Sequence, residues 1–463
     1  MNILIVGNGF DLSHYLPTKY DHFMDVMRAI EEKDTGSLPK NLEEKKIDEW
    51  LNLLDKTFQK PEGIALPPHD MAFDELFSKV RDPNFIEKTK EFYLTENIEI
   101  CAKDVLKLQY RLELNCWYQY FKNHVEKIKT WIDFEQKIEA VLVILAKSMV
   151  QIEKVEIDIN DQFDLSGTLS KKDIKTLNFF SFSKAIGGRV KIGGKIRITP
   201  RQTYVNTKFC HGKNIDNGFS ATAFLDFLHQ ELEKFIEIFN LYLELVINKL
   251  TSVHKFSIES EEWINPDQIY SFNYTNTYQK IYDQSAETDY LHGSFGKKQN
   301  IVLGVSDLKD ESLKKLKVYG FTKYHQKIFN ETDYLFLESY KLKVEQHKRK
   351  VEYFEKDFGS NGPLVNKKFE RQNLMEVDSK LHLNISIWGH SLDLSDQDYI
   401  KDIFSLNDDI DRNVRVTVYH FDKPAKFSLL NNLLAILGKD QVERWMKNQW
   451  LVFKPNPEIK FGM

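Results

Sequence analysis

The chain has 463 residues, of which 42% are hydrophobic and 13% aromatic, and its formal net charge is −5. A chain of this length exceeds the size at which one hydrophobic core keeps growing, so we expect two or three structural units, and the apolar content argues against disorder. The acidic balance predicts no general attraction to nucleic acid or to anionic membranes.

The three cysteines, Cys101, Cys116 and Cys210, lie far apart and form no CxxC pair. This spacing excludes a four-cysteine zinc module, and we expect no metal site. No run of about 18 apolar residues exists, which disfavours a membrane span, and no basic leader precedes the first apolar run. We therefore expect a cytoplasmic protein.

An uninterrupted apolar run, Ile3 to Val6, is typical of a strand that is buried on both faces of a parallel sheet. Gly7-Asn8-Gly9 follows at once, and a helical segment opens at Pro17. A strand, a glycine turn and a helix form the arrangement in which backbone N–H groups hold a phosphate-bearing ligand. A plain tight turn explains the same glycines equally well.

Residues 48 to 150 are predicted to be mostly helical, and they contain two acids of interest, Asp133 and Glu135. One interpretation places either acid at the edge of a functional site. The simpler alternative makes Asp133 the N-cap of a helix, with Gln136 completing a capping box.

Residues 189–198 alternate between apolar and basic side chains around a glycine pair, which predicts a β-hairpin with a two-residue turn. The basic face could meet phosphate groups, although lysine-rich faces also discourage edge-to-edge pairing of strands. A long amphipathic helix is predicted over residues 221–250.

Further strands are predicted at residues 268–272, 290–291, 301–305, 383–388, 414–419 and 450–453. Residues 311–378 are helical and charge-rich, and they interrupt this pattern like an insertion. Ser395 and Asp398 predict a capping box for a helix that runs to Phe404. Strands that alternate with helices imply an α/β fold with a mostly parallel sheet flanked by helices.

The predicted organisation is a core interrupted by two insertions. The core comprises residues 1–40, 261–310 and 379–463. The insertions are residues 41–260, mainly helical with the hairpin at 189–198, and residues 311–378, which are helical.

Glycines and compact polar side chains follow four predicted core strands: Gly7 to Asp11, Asn273 to Thr275, His292 with Gly293, and Gly389 to Ser391. Ligands of open α/β sheets lie outside the carboxyl ends of the strands, so we expect these loops to form one pocket. A hydride-transferring enzyme is disfavoured, because the third glycine of the dinucleotide fingerprint is missing.

Several ordered segments together resemble the bacteriophage abortive-infection AbiH family: GNGFDLSHYLPTKYDHF, WIDFE, SFNYT, LHG and WGHSLDLSDQDYI. The resemblance covers most of the chain. It implies a bacterial anti-phage protein.

The same loops are more distantly similar to those of the sirtuin-like NAD-binding superfamily. That resemblance implies a Rossmann-like, sirtuin-like sheet, with Asn273 at the NAD-contacting asparagine, His292 at the catalytic histidine, and Gly389 and Ser391 on the GxS loop. The candidate catalytic residues are therefore Asn273 and His292. The candidate NAD-binding residues are Gly7, Asn8, Gly9, Phe10, Asp11, Pro17, Tyr274, Gly389, His390, Ser391 and Asp396.

The chain departs from the sirtuin pattern in three ways. Tyr15 stands where the motif has glycine, which predicts a narrower pocket, and Thr275 replaces the acid that usually follows the asparagine. The cysteine-bound zinc module has no counterpart. This difference favours NAD hydrolysis in defence over protein deacylation.

The resemblance implies cleavage of the bond between nicotinamide and ribose. His292 would act as the base or contact the ribose, Asn273 would hold water or the ribose hydroxyls, and Asp11 would bond to the nicotinamide ribose. Gly7 to Gly9 would receive the pyrophosphate. The simpler alternatives are a turn histidine for His292, an Asx turn for Asn273, and an acid that complements a helix dipole for Asp396.

We therefore expect an anti-phage effector that hydrolyses NAD and is held inactive until infection. A phage-derived trigger and a second copy of the chain could act as partners. One alternative is a non-catalytic sensor that binds NAD or a related nucleotide and signals through the helical insertions. Another is a nucleic-acid effector that uses Lys191, Lys195 and Arg197 with Asp133 and Glu135, which the acidic net charge disfavours.

Overall fold

The structure, a computed structural model, describes residues 1–34, 70–124, 131–153, 169–186, 189–192, 195–198, 202–211, 219–260, 263–332, 336–358, 368–369, 371–373, 381–407 and 411–462. Its centre is a six-stranded parallel sheet. In chain order the strands are β1 (Asn2–Val6), β2 (Gln268–Ser271), β3 (Thr288–Tyr290), β4 (Leu383–Trp388), β5 (Val414–His420) and β6 (Leu451–Pro455).

The spatial order of the strands is β3-β2-β1-β4-β5-β6. Ile5 of β1 lies opposite Tyr270 of β2 on one side and Ile387 of β4 on the other. The order reverses between β1 and β4, because β2 and β3 extend the sheet in one direction and β4 to β6 extend it in the other. Ligands of open α/β sheets bind at such a reversal, outside the carboxyl ends of the strands.

Helices occupy most of the connections between these strands. They are α1 (Asn8–Ser13), α2 (Tyr20–Glu31), α3 (Phe73–Leu76), α4 (Pro83–Phe92), α5 (Ala102–Leu114), α6 (Cys116–Lys122), α7 (Trp131–Glu153), α8 (Lys171–Leu177), α9 (Ala221–Tyr242), α10 (Thr277–Ile281), α11 (Glu311–Lys315), α12 (Lys323–Phe329), α13 (Glu338–Phe358), α14 (Gln397–Phe404), α15 (Lys423–Leu437) and α16 (Lys439–Lys447). A π-helical turn, Leu243–Ile247, extends α9. Short 3₁₀ turns lie at Asn178–Phe180, Thr207–Phe209, Val318–Phe321 and Leu394–Asp396.

Alternate residues of β1 pack into different cores, as a strand buried on both faces requires. Ile3 and Ile5 join a core that contains residues of α14, α15 and α16. Leu4 and Val6 join a smaller core with Phe10. A third and larger core is formed mainly by α2, α5, α6, α7 and α9 of the chain before β2.

Short antiparallel pairs accompany the sheet. They are Met71–Ala72 with Glu99–Ile100, Tyr93–Leu94 with Thr251–Ser252, Ser183–Ile186 with Gln202–Val205, Arg189–Ile192 with Lys195–Ile198, and Phe256–Glu259 with Glu458–Phe461. The fourth pair confirms the two arms of the predicted hairpin, whose glycine turn lies outside the described residues. The predicted boundaries after residues 40 and 378 also lie outside them and stay predictions.

Three predictions of local structure are wrong. Asp133 is not an N-cap, because α7 already includes Trp131. Ser395 does not cap a helix; Asp393 caps a 3₁₀ turn by accepting a bond from the Ser395 N–H. Residues 301–305 form no strand, and only Val305 makes an isolated bridge.

Among the described residues, no helix combines the length and the apolar composition that a membrane crossing requires.

Candidate functional site

A cavity of about 1020 Å³ opens at the carboxyl edge of the sheet. Residues that follow all six strands line it, together with side chains from the helical insertions. The loops that were predicted to converge therefore do so, since Gly7, Asn273, His292 and Gly389 all line this one cavity. Its volume lies at the upper end of the roughly 300–1,000 Å³ that is usual for small-molecule sites.

The glycines at the strand reversal allow two loops to touch. A Cβ on Gly7 would lie 2.5 Å from the Cα of His390, and one on Gly9 would lie 2.7 Å from the Cα of Gly389. Gly389 itself has φ +73°, and its Cβ would lie 2.0 Å from the backbone nitrogen of Phe10. Only glycine fits these positions without displacing backbone.

The backbone N–H groups of this turn are partly committed. The Gly7 N–H donates to the carbonyl of Trp388 (3.1 Å), and the Gly9 N–H donates to that of Gly389 (2.8 Å). Two N–H groups that were predicted to receive a pyrophosphate thus already join the loops after β1 and β4. The contact between these two loops therefore explains the glycines of the Gly7-Asn8-Gly9 turn at least as well as a bound ligand does.

Asn273 connects the loops after β1 and β2. Its side-chain amide donates to the carbonyl of Gly7 (2.9 Å), a contact across the sheet that an Asx turn alone would not require. The hydroxyl of Ser271 accepts a bond from the Asn273 backbone N–H (3.1 Å), which fixes the turn. One of the two amide N–H groups is therefore used within the protein, and the side-chain oxygen offers a ligand an acceptor.

Asp11 is a buried carboxylate with one unsatisfied oxygen. Its Oδ2 accepts a bond from the hydroxyl of Thr275 (2.6 Å), whereas Oδ1 is buried without a hydrogen-bond partner. Burial raises the pKa of Asp11 to about 6, although the nearby side chains of Thr275, Thr277 and Asn273 oppose the shift. Thr275 thus supports the carboxylate of Asp11, and Oδ1 offers an acceptor to a ligand.

Asp396 is the centre of a buried polar cluster. Its Oδ1 lies 3.1 Å from Nε2 of His292, and its Oδ2 lies 3.3 Å from Nε2 of His390. Nζ of Lys323 lies 3.4 Å from the same Oδ1 and 2.8 Å from Oε1 of Glu135. Asp396 occupies the N-cap position of α14 but makes no side-chain cap bond there, because its carboxylate is engaged in this cluster.

The charges of the cluster follow from these contacts. Burial alone would raise the pKa of Asp396, but Lys323 and His292 hold it well below its usual range. Burial lowers the pKa of His292 to about 3, and the charge of Lys323 adds to this effect. At neutral pH His292 is therefore a neutral ring beside an ionised carboxylate. Burial also raises the pKa of Glu135 to about 7, against the opposing charge of Lys323.

The tautomer of His390 follows from its backbone contact. The Leu392 N–H donates to Nδ1 of His390 (3.0 Å), so this nitrogen is an acceptor. In the neutral ring the proton is then on Nε2, which faces Asp396.

The other predicted NAD-binding residues divide into two groups. Asn8, Tyr274 and Ser391 line the cavity. Phe10 does not; it is fully buried behind the turn and packs edge-on against Trp388. Pro17 does not line the cavity either, and its carbonyl accepts a bond from the hydroxyl of Tyr242 (2.5 Å). These last two residues support the loop from behind.

Tyr15 lines the cavity with a left-handed backbone, φ +57°. This conformation disfavours a tyrosine by about 1–2 kcal/mol relative to a glycine. The ring stacks on Phe92 at a centroid distance of 5.2 Å and also packs against Phe85 and Phe461. The aromatic packing offsets the strain.

Lys323 is the site residue that the sequence did not indicate. It begins α12, directly after its N-cap Thr322, in a segment whose charge pattern suggests solvated helices. A helix cap is a recognisable signal, but nothing local marks the lysine beside it as buried. Glu135, one of the two acids considered above, lines the cavity.

A model of the bacteriophage abortive infection AbiH family matches residues 3–420. No curated protein and no solved structure matches the chain. The family description implies an anti-phage role in abortive infection. Because the matched segment covers most of the 463 residues, the chain belongs to the AbiH family.

Proposed function

We propose that this cavity binds NAD and that the protein hydrolyses it to nicotinamide and ADP-ribose as its effector activity in abortive infection. The observation that carries the proposal is the convergence of loops from four neighbouring strands on one cavity at the strand reversal. The order β3-β2-β1-β4-β5-β6 matches that of Rossmann sheets, which bind dinucleotides at this place. We therefore take the sheet to be Rossmann-like and its loops to be sirtuin-like.

The reaction consumes one water and releases nicotinamide, ADP-ribose and a proton. As the bond between nicotinamide and ribose breaks, positive charge develops on the ribose. Catalysis then requires a fixed ribose and a base that accepts a proton from water. His292 is neutral at pH 7, and the adjacent carboxylate of Asp396 stabilises the ring once it is protonated.

Asp11 and Asn273 take supporting roles. The unpartnered Oδ1 of Asp11 suits a ribose hydroxyl, and its negative charge favours positive charge on the sugar. Asn273 holds the Gly7 loop in place through its amide. Its side-chain oxygen can still hold the water or the ribose hydroxyls.

Release of nicotinamide from NAD by the purified protein tests the proposal. We expect His292→Ala to lower the rate at least about 100-fold, since general bases contribute roughly 10²–10⁴-fold. Asn273→Ala should also weaken activity by loosening the turn. His254→Ala is the matched control, because His254 is exposed and does not line the cavity.

Two results would contradict the proposal in different ways. Unchanged activity in His292→Ala would show that the reaction does not take place at this site. The wild-type protein could also release no nicotinamide, either before or after phage infection of cells that express it. This result would show that the protein is not an NAD hydrolase.

Binding without cleavage is a second candidate function. The observation that favours it is that the Asn273 amide donates to the carbonyl of Gly7, which gives this candidate catalytic residue a structural role in the loop. Saturable stabilisation by NAD against heat, without nicotinamide release, would select this alternative.

A further inference from the structure

The two helical insertions meet at the cavity through one buried ion pair. Glu135 belongs to α7 in the first insertion, and Lys323 begins α12 in the second. Their charged atoms lie 2.8 Å apart, and Lys323 also approaches Asp396, which belongs to the core. Three separate parts of the chain therefore supply one connected group of charges.

These charges are largely removed from water. The side chains of Lys323, Glu135 and Asp396 are 7%, 12% and 8% exposed. Buried charges are tolerated when paired in good geometry, and removal of one partner leaves the other uncompensated. The ammonium of Lys323 lies between two carboxylates, so each neighbour depends on it.

Lys323 and His292 approach the same oxygen. Oδ1 of Asp396 lies 3.4 Å from Nζ of Lys323 and 3.1 Å from Nε2 of His292. A protonated His292 would place a second positive charge against an oxygen that already faces an ammonium. The lysine therefore disfavours protonation of the ring and leaves His292 as a proton acceptor.

The charged and titratable groups facing this pair come from several elements. They are Glu135 of α7, Tyr274 after β2, Lys327 of α12, His390 after β4, and Asp393 and Asp396 before α14. Nζ of Lys327 donates to the hydroxyl of Tyr399 (2.5 Å). Lys323 is the lysine in contact with the Asp396 carboxylate. Removal of the Lys323 charge therefore changes the electrostatic potential at His292 most directly.

We propose that Lys323 is a positioning residue of this site, which orients Asp396 and keeps His292 in its neutral, proton-accepting form, while Glu135 holds Lys323 from the opposite side. The site is then complete only when both insertions are in contact. The catalytic consequence rests on the proposed NAD hydrolysis, whereas the protonation of His292 can be measured without turnover.

Histidine-selective NMR titration of the full chain tests the positioning role. We expect the His292 ring to stay neutral to below pH 5 in the wild type and to titrate at least about one pH unit higher in Lys323→Met. Lys323→Arg should keep the wild-type titration. Lys323→Gln, which retains hydrogen-bond donors without the charge, should shift like Lys323→Met and replaces it if that variant does not fold.

Lys309→Met is the matched control. Lys309 pairs with Glu139, one helical turn beyond Glu135, at 3.9 Å, and these side chains are more exposed. Loss of this outer contact of α7, with a lysine just before the second insertion, should leave the His292 titration unchanged. An unchanged titration in both Lys323→Met and Lys323→Gln would overturn the positioning role.

Kinetics separate this inference from the proposed function. We expect Lys323→Met to lower kcat for NAD hydrolysis at least about tenfold, because Asp396 loses the contact that orients it, with KM changed less than about twofold. The acid limb of the pH profile should move upward, because the His292 ring takes up its proton at a higher pH. Lys323→Arg should restore most of kcat. If the titration shifts but the wild type does not hydrolyse NAD, the proposed function fails and the positioning role stands.

Discussion

Gly389→Ala is expected to destabilise the protein by about 2–5 kcal/mol. The left-handed backbone at φ +73° disfavours alanine by about 1–2 kcal/mol. In addition, the new Cβ would meet the backbone nitrogen of Phe10 at 2.0 Å. Backbone atoms cannot rotate away as a side chain can, so the loops after β1 and β4 must separate. Urea denaturation measures the loss of unfolding free energy.

Gly438→Ala separates the two causes. Gly438 has φ +79°, but a Cβ there would have no atom within 4 Å. With ψ 163°, Gly438 lies in a backbone region that is essentially confined to glycine, so this variant should lose only the conformational part, about 1–3 kcal/mol. Equal losses in the two variants would show that the close contact between the loops does not constrain Gly389.

Acid is expected to destabilise the protein by about 2 kcal/mol between pH 6.5 and pH 5, the net of a loss of about 4–5 kcal/mol from three buried histidines and an opposing gain of about 3 kcal/mol from two buried carboxyl groups. Burial lowers the pKa of His14 and His22 to about 4 and that of His292 to about 3. Between these values and the ordinary 6.5, the unfolded chain binds protons that the folded protein does not. Stability is therefore complete above pH 6.5 and falls as the pH decreases.

Asp11 acts in the opposite direction over part of this range. Its pKa is raised to about 6, so the folded protein binds a proton more readily than the unfolded chain between about pH 6 and pH 3.8. Between pH 6.5 and pH 5 this offsets about 1 kcal/mol of the loss from the three histidines, and Glu135, whose pKa is raised to about 7, offsets about 2 kcal/mol more.

Urea denaturation at pH 6.5 and pH 5 measures the acid effect. His22→Phe should remove about a third of the histidine loss, about 1.6 kcal/mol, because the His22 ring already packs against Phe85 at a centroid distance of 4.9 Å and an apolar ring suits the position. A free energy of unfolding that does not change between the two pH values would contradict the assignment of neutral, buried histidines.

The parts of the fold that were predictable depend on local patterns. The apolar run from Ile3 to Val6 identifies a buried central strand, and the common edge of parallel strands explains why Asn273 and His292 reach one cavity. The close contact of Gly7 with His390 was not predictable, because the loop that contains His390 comes from the distant end of the chain.

The polar cluster was only partly predictable for a related reason. Asp396 lies at the start of a helix, where an acid normally complements the helix dipole. Its position in the sequence is therefore explained without a functional site. Lys323 lies in a charge-rich segment, and its burial results from contacts with Glu135 and Asp396, which no periodicity in the sequence indicates.

Calorimetric titration of NAD into the wild type and into Asp11→Asn tests the central claim, that the cavity is a dinucleotide site. Ionised Asp11 lowers stability at neutral pH because its pKa is raised, so removal of its charge should leave the protein folded. The account predicts saturable binding of one NAD to the wild type and binding about 10- to 100-fold weaker in the variant, since a hydrogen bond to a charged group contributes about 1.5–3 kcal/mol. No saturable binding to the wild type, or equal binding to both proteins, would contradict it.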